Sequence, residues 1–128
     1  MIYQITNGIK ISVRPFFAGN FLYKNEEIYN FTYRITIDNN SNNPIQLTTR
    51  HWQILDALGP CKIVNGEGVI GKKPIINPGE SYSYESFSSL FSPFGAMLGF
   101  FTMINLSNST EFKVIIPRFK LSAPFAIN

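Results

Sequence analysis

The stretch Ile28-Tyr29-Asn30-Phe31-Thr32-Tyr33-Arg34-Ile35-Thr36-Ile37-Asp38 alternates from Tyr29 onward, with apolar or aromatic side chains on odd positions and polar ones on even positions. A period of two places the first set on one face of a pleated strand and the second on the other, so one face suits a core and the other suits water. Upstream, Ile9 to Val13 alternates in the same way, and Pro15 then limits pairing to an edge or a bulge because it has no N–H to donate. Downstream, Asn39-Asn40-Ser41-Asn42-Asn43-Pro44 reads as a turn, since asparagine tolerates left-handed backbone angles and its amide competes for local backbone bonds. A strand resumes at Ile45 to Thr49. Near Arg50-His51-Trp52 the apolar phase changes: Leu47 and Thr49 share one parity, Trp52 and Ile54 the other, as a β-bulge there would produce.

Further out, Gly59-Pro60, Gly66, Gly68, Gly71 and Pro74 mark residues 57 to 74 as a long loop with one short strand at Cys61 to Val64. Asn77-Pro78-Gly79-Glu80 has the signature of a type II turn and launches a strand over Ser81 to Phe87. Gly95 to Leu106 is apolar on both parities, which predicts a central strand covered on both sides. Glu111 to Ile116 supplies a last alternating segment. Strands at this spacing, with no amphipathic helix among them, predict an all-β sandwich of about seven antiparallel strands forming one domain over residues 1–128.

Composition narrows the function classes. Apolar residues make up 45% of the 128-residue chain and charged ones 15%, a balance that excludes a disordered tail. The net charge of +3 is scattered, and its densest cluster, Lys72-Lys73, is too short to follow a phosphate backbone, so no nucleic-acid partner is expected. Cys61 is the single cysteine, which rules out an internal disulfide and fits a cytoplasmic, reducing compartment. Met1 to Thr6 lacks the basic and apolar regions of a secretory signal, and no run reaches the ~18 apolar residues of a membrane span. No membrane partner is expected, and the Asn30-Phe31-Thr32 and Asn108-Ser109-Thr110 sequons read as chance matches.

Certain residues in order carry a family resemblance: Arg50-His51-Trp52, Gly66-Glu67-Gly68-Val69-Ile70-Gly71, Pro78-Gly79-Glu80, Tyr84, Pro93, Gly95, Met97, Gly99, Ile116-Pro117, Phe119, Leu121 and Pro124. Over Ile9 to Pro124 the chain resembles the ApaG (CorD-like, DUF525) family. The resemblance implies a fibronectin type III or immunoglobulin-like β-sandwich. It also implies an indirect association with cobalt resistance and magnesium efflux in bacterial members, and a protein-binding role for related domains in larger eukaryotic proteins. Neither association defines a reaction, so a non-enzymatic binding or protein-interaction module is the leading expectation, with no catalytic residues and no cofactor.

The motifs are weighed against that expectation. Gly66-x-Gly68-x-x-Gly71 matches the dinucleotide fingerprint, but Pro74 and Asn77-Pro78-Gly79 leave no room for the helix whose N-terminus would hold a pyrophosphate. A helix-free alternative is an anion nest of backbone amides over Gly66 to Lys73, binding phosphate, pyrophosphate or a nucleotide phosphate weakly, with Gly66, Gly68, Gly71, Lys72 and Lys73 as its residues. Arg50-His51 offers an anion-binding group beside a titratable one, yet only Asp56 and Glu67 lie near enough in sequence to orient the histidine, so a phosphate-ester hydrolase is the last choice. Trp52 is assigned to the core. One histidine, one cysteine and dispersed carboxylates predict no dedicated metal site. Twelve phenylalanines are many for one small sandwich, so some should reach the surface. Phe100 is chosen with Arg50 and His51 as the candidate interaction surface, for a protein partner or a homodimer face. Phe16, Phe17, Phe21 and Tyr23, in the long first connection, are expected to cap the core instead.

Overall fold

The computed structural model describes residues 1–126. The alternating stretch forms the heart of β3 (Glu26–Asn39), where Phe31, Tyr33, Ile35 and Ile37 are buried while Arg34 is exposed. Before it run β1 (Ile2–Thr6) and β2 (Ile9–Tyr23); after it come β4 (Ile45–Asp56), β5 (Lys62–Glu67), β6 (Ile75–Ile76), β7 (Ser81–Leu90), β8 (Phe94–Asn105) and β9 (Thr110–Ser122). One sheet has the order β1-β2-β3-β7 and the other β5-β4-β8-β9, with β6 pairing beside β4. Every pairing is antiparallel. The protein is an all-β, two-sheet sandwich.

Nine strands run through the described residues, more than the turn spacing predicts. Of the additional ones, β1 is joined to β2 by Asn7 and Gly8 at φ 49° and 79°, a two-residue turn whose twist matches a hairpin. The other, β6, is a two-residue pairing inside the glycine-rich region. Pro15 does not end β2. It pairs with Tyr33 just beyond the Ile2–Val13 contact where β1 stops, so β2 is an edge strand at the point where proline removes a donor. The remainder of β2 and the start of β3 form a projecting hairpin, on which Phe16, Phe21 and Tyr23 are exposed while Phe17 packs on Phe31 and Phe125.

Between the sheets, Ile9, Ile11 and Val13 of β2 and the odd residues of β3 meet Leu47 and Trp52 of β4, Met97, Phe101 and Met103 of β8, and Val114, Ile116, Phe119 and Leu121 of β9. On one flank β1 packs on β9, and the Ile115 amide donates to Thr6 Oγ1 at 3.2 Å. The sheet order places β7 and β5 on the opposite flank, where the glycine-rich segment lies.

Candidate functional site

A register shift between Leu47 and Thr49 in the β4–β8 pairing is the bulge that the phase change implies. It turns both Arg50 and Trp52 toward the opposing sheet. Trp52 is buried, with ring centroids 5.4 Å from Tyr33 and 5.9 Å from Phe119, as expected of a core anchor. Arg50 is half-buried beside it, and its Nη1 donates to the carbonyls of Glu67 (3.1 Å) and Gly68 (2.8 Å). Gly66 makes the room, because a Cβ there would lie 2.5 Å from the guanidinium carbon. From the other sheet, Tyr33, Tyr84 and Ser86 complete with these residues a cavity of about 250 Å³.

The two phenols in this cleft are held protonated. Burial pushes Tyr33 above the usual tyrosine range, against the opposing pull of the Ser86 hydroxyl and the Arg50 charge. Tyr84 is pushed up further, chiefly by burial and then by Tyr33, with Arg50 opposing. The Tyr84 hydroxyl is buried and has no hydrogen-bond partner among the described residues.

The glycine segment has a different construction from a nest. Val69 and Lys72 exchange both backbone hydrogen bonds, at 2.8 and 3.0 Å, around Ile70 and Gly71 at φ 48° and 71°. That is a tight type I′ hairpin. The Gly68 amide donates to the Thr48 carbonyl at 2.7 Å, and a Cβ on Gly68 would come 2.2 Å from the Lys72 oxygen. The amides of Gly68, Val69 and Lys72 are therefore committed to carbonyls. Lys73 pairs with Glu67 at 2.8 Å, whereas Lys72 stands exposed at the tip.

His51 points to the opposite face of β4 and lies in a row across the five-stranded sheet, between Asn65 of β5 and Phe100 of β8, with Ile115 of β9 next. Its ring stacks on Phe100 at 4.8 Å, with 18° between the planes, and Nδ1 shares a 2.5 Å hydrogen bond with Asn65 Oδ1. The Lys113 ammonium sits 4.6 Å from the Phe100 ring centroid. Beside the row, Leu98, Ile115 and Arg118 line a groove of about 410 Å³. Arg118 also borders a second depression of about 520 Å³, with Lys120 and Phe94.

Arg50, His51, Phe100 and Gly66 share the rim of one depression of about 380 Å³. Gly71 lines the interior cleft instead, and Lys72 and Lys73 line neither. Of the two carboxylates near His51 in sequence, Asp56 accepts from the Leu58 and Phe91 amides and from Ser92 Oγ at 3.2, 2.6 and 2.9 Å. Glu67 is taken by Lys73. The histidine is thus oriented by an amide side chain. Among the described residues no three His, Cys, Asp or Glu side chains gather where a metal ion could be held.

Sequence reasoning passed over Tyr33, Tyr84 and Ser86 as site residues. The signal was present in the parity: two hydroxyl-bearing aromatics on the inward positions of β3 and β7 face an inward arginine across the sheets.

Comparison with known proteins identifies the architecture. Residues 21–105 match the ApaG domain family model, and Protein ApaG of Methylorubrum extorquens strain PA1 is 41% identical over 119 residues, 93% of this chain and 91% of that protein. The chain belongs to the ApaG family. Protein ApaG of Brucella abortus strain S19 is 40% identical over 124 residues, 97% of this chain and 95% of that protein. Among solved structures, an X-ray structure from a structural genomics consortium superimposes with a TM-score of 0.88 at 38% identity, covering 92% of this chain and 89% of that one. A Bordetella pertussis protein described as ApaA gives 0.80 at 31% identity, covering 95% of each chain. Membership of the family gives the candidate residues a shared scaffold and assigns none of them a role. No helix among the described residues is long and apolar enough to cross a membrane.

Proposed function

We propose that this ApaG chain is a non-enzymatic binding module, and that the outer face of its five-stranded sheet docks an extended acidic segment of a partner protein. The observation that carries the reading is the row His51–Phe100–Ile115, in which a stacked aromatic pair and an aliphatic side chain lie open beside the cations Lys113 and Arg118. An apolar strip with two cations beside it suits a peptide whose apolar anchors are interspersed with Asp or Glu, the charges steering encounter and the anchors supplying affinity. A flat groove of this kind suits docking, whereas catalysis needs convergent titratable groups, and Asp56 and Glu67, the candidates for orienting His51, are engaged elsewhere. The cobalt and magnesium association implied by the family resemblance is then indirect, exerted through the partner.

Two other readings have less support. A phosphate nest at Gly66 to Lys73 would need amides that are already bonded to Thr48 and within the Val69–Lys72 hairpin. A phosphate-ester hydrolase would need a base, and His51 is oriented only by Asn65.

Selection from a random peptide library on wild-type protein tests the docking reading. Acidic peptides with apolar anchors should be enriched, and Phe100→Ser or Arg118→Glu should each weaken them about tenfold or more, as hot-spot truncation does. Enrichment of no acidic class, or equal binding to both variants, would sink it.

A further inference from the structure

The cleft between the sheets presents a second recognition chemistry, independent of the docking face. Arg50 carries a full positive charge into a half-buried position, and its two side-chain bonds go to neutral carbonyls. The ion pairs among the described residues are Arg34–Glu85 and Lys73–Glu67, so no carboxylate neutralises Arg50. Glu67 lines the cleft but turns its carboxylate to Lys73. A charge withdrawn from water without a counter-ion is costly, and so is a buried hydroxyl without a partner, which is the state of Tyr84. Arg50 and Tyr84 both line one cavity of about 250 Å³, and Ser86 lines it beside them.

We infer that this cavity is a binding site for a small oxyanion, a carboxylate or phosphate group borne on a compact molecule, held by the Arg50 guanidinium and the hydroxyls of Tyr84 and Ser86. A guanidinium presents a planar fork of donors that matches such a group, and a phenol adds a neutral donor that does not compete for its charge. The cavity exceeds the ~30 Å³ share of one water, and it is smaller than the ~300–1,000 Å³ of pockets that enclose drug-sized ligands. It therefore suits an anion with a few attached atoms. The site differs from the glycine loop in its donors: they are side chains from β4 and β7, and the loop contributes only a wall. Gly66 belongs to it indirectly, because its missing Cβ lets the guanidinium lie where it does. Ile70 lines the cavity in a left-handed conformation, φ 48°, that a β-branched residue rarely adopts.

Trp52, the chain's single tryptophan, lines the cavity and supplies the readout. The full chain is titrated with sodium phosphate and, separately, with sodium acetate, against sodium chloride at matched ionic strength. Tryptophan emission and melting temperature are followed. A saturable response to phosphate or to acetate that chloride does not give is expected, and the responding arm names the group recognised. Arg50→Met should abolish the response. Should that variant fold poorly, two others carry the test. Tyr84→Phe should weaken binding about tenfold, the worth of one hydrogen bond to a charged group, while raising the melting temperature of the ligand-free protein. Gly66→Ala, which displaces only the flexible end of Arg50, should weaken binding by a similar factor. Silence in both anion arms, an equal response to chloride, or undiminished affinity in Tyr84→Phe would each overturn the assignment.

Discussion

Ile70 occupies a backbone conformation that its own side chain opposes, and the hairpin around it shows why the conformation persists. Two hydrogen bonds between Val69 and Lys72 fix the turn, and Gly68 is locked below it by its bond to Thr48. A β-branched residue at positive φ costs on the order of 1–3 kcal/mol, so Ile70→Asn, which suits that angle, should stabilise the protein by about 1 kcal/mol in urea unfolding. An unchanged midpoint would show that the turn relaxes around isoleucine. Gly99 is a stricter case. A Cβ there would stand 2.0 Å from the His51 carbonyl oxygen, in the register shift between Met97 and Gly99, and neither backbone can retreat without breaking the β4–β8 ladder. Gly99→Ala should therefore cost roughly 3 kcal/mol or more, measured by the same unfolding, since overpacking is joined by lost backbone hydrogen bonds. Single residues of this kind were only partly legible in the sequence. Trp52 could be read as core because bulk and parity decide it locally. The role of Gly66 could not, because it depends on a guanidinium that strand pairing brings from β4.

At the scale of elements, legibility followed the range of the deciding interaction. The core segment of β3 announces itself because its period of two is written entirely within eleven residues, from Ile28 to Asp38. The extension of β2 past Pro15 was hidden, since whether proline ends a strand depends on whether a neighbour needs its N–H, and β1 has already stopped there. The strand β1 itself was signalled by Asn7-Gly8, a dipeptide suited to a two-residue hairpin turn, but its largely exposed face gives little apolar pattern to follow. The candidate residues of the outer face were half visible: His51 on β4 and Phe100 on β8 were chosen, whereas Asn65, Lys113 and Ile115 join them only through strand pairing, and Arg50, chosen with them, turns to the other face. The hairpin between β1 and β2 offers a direct test. Gly8 sits at φ 79°, with a virtual Cβ 3.2 Å from that of Ser41, and its carbonyl accepts from the Asn40 amide at 2.9 Å. Gly8→Ala should therefore destabilise by about 1–2 kcal/mol through backbone strain and crowding together. Hydrogen exchange should localise the loosening to β1 and the Asn39–Asn43 turn. Loosening spread evenly through both sheets would contradict this local account.

For the whole molecule, the consequence of putting two phenols between the sheets is a stability that depends on alkaline pH. Burial raises the pKa of Tyr33 and Tyr84 in the folded protein, while in the unfolded chain each phenol ionises near its ordinary value of about 10. Below that value both states are protonated and the stabilisation is fully present. Above it the unfolded chain releases protons that the folded protein retains, so rising pH draws the equilibrium toward unfolding. Each phenol contributes a slope of roughly 1.4 kcal/mol per pH unit until the folded group ionises as well. Arg50 tempers the effect without reversing it, since its pull on both groups is smaller than the cost of burial. Urea midpoints measured on either side of about pH 10 should therefore fall as pH rises, and Tyr84→Phe should flatten the fall by removing one of the two groups. An equally steep fall in that variant would mean that Tyr84 does not couple to folding, and the desolvated cleft wall on which the anion site depends would lose its physical basis.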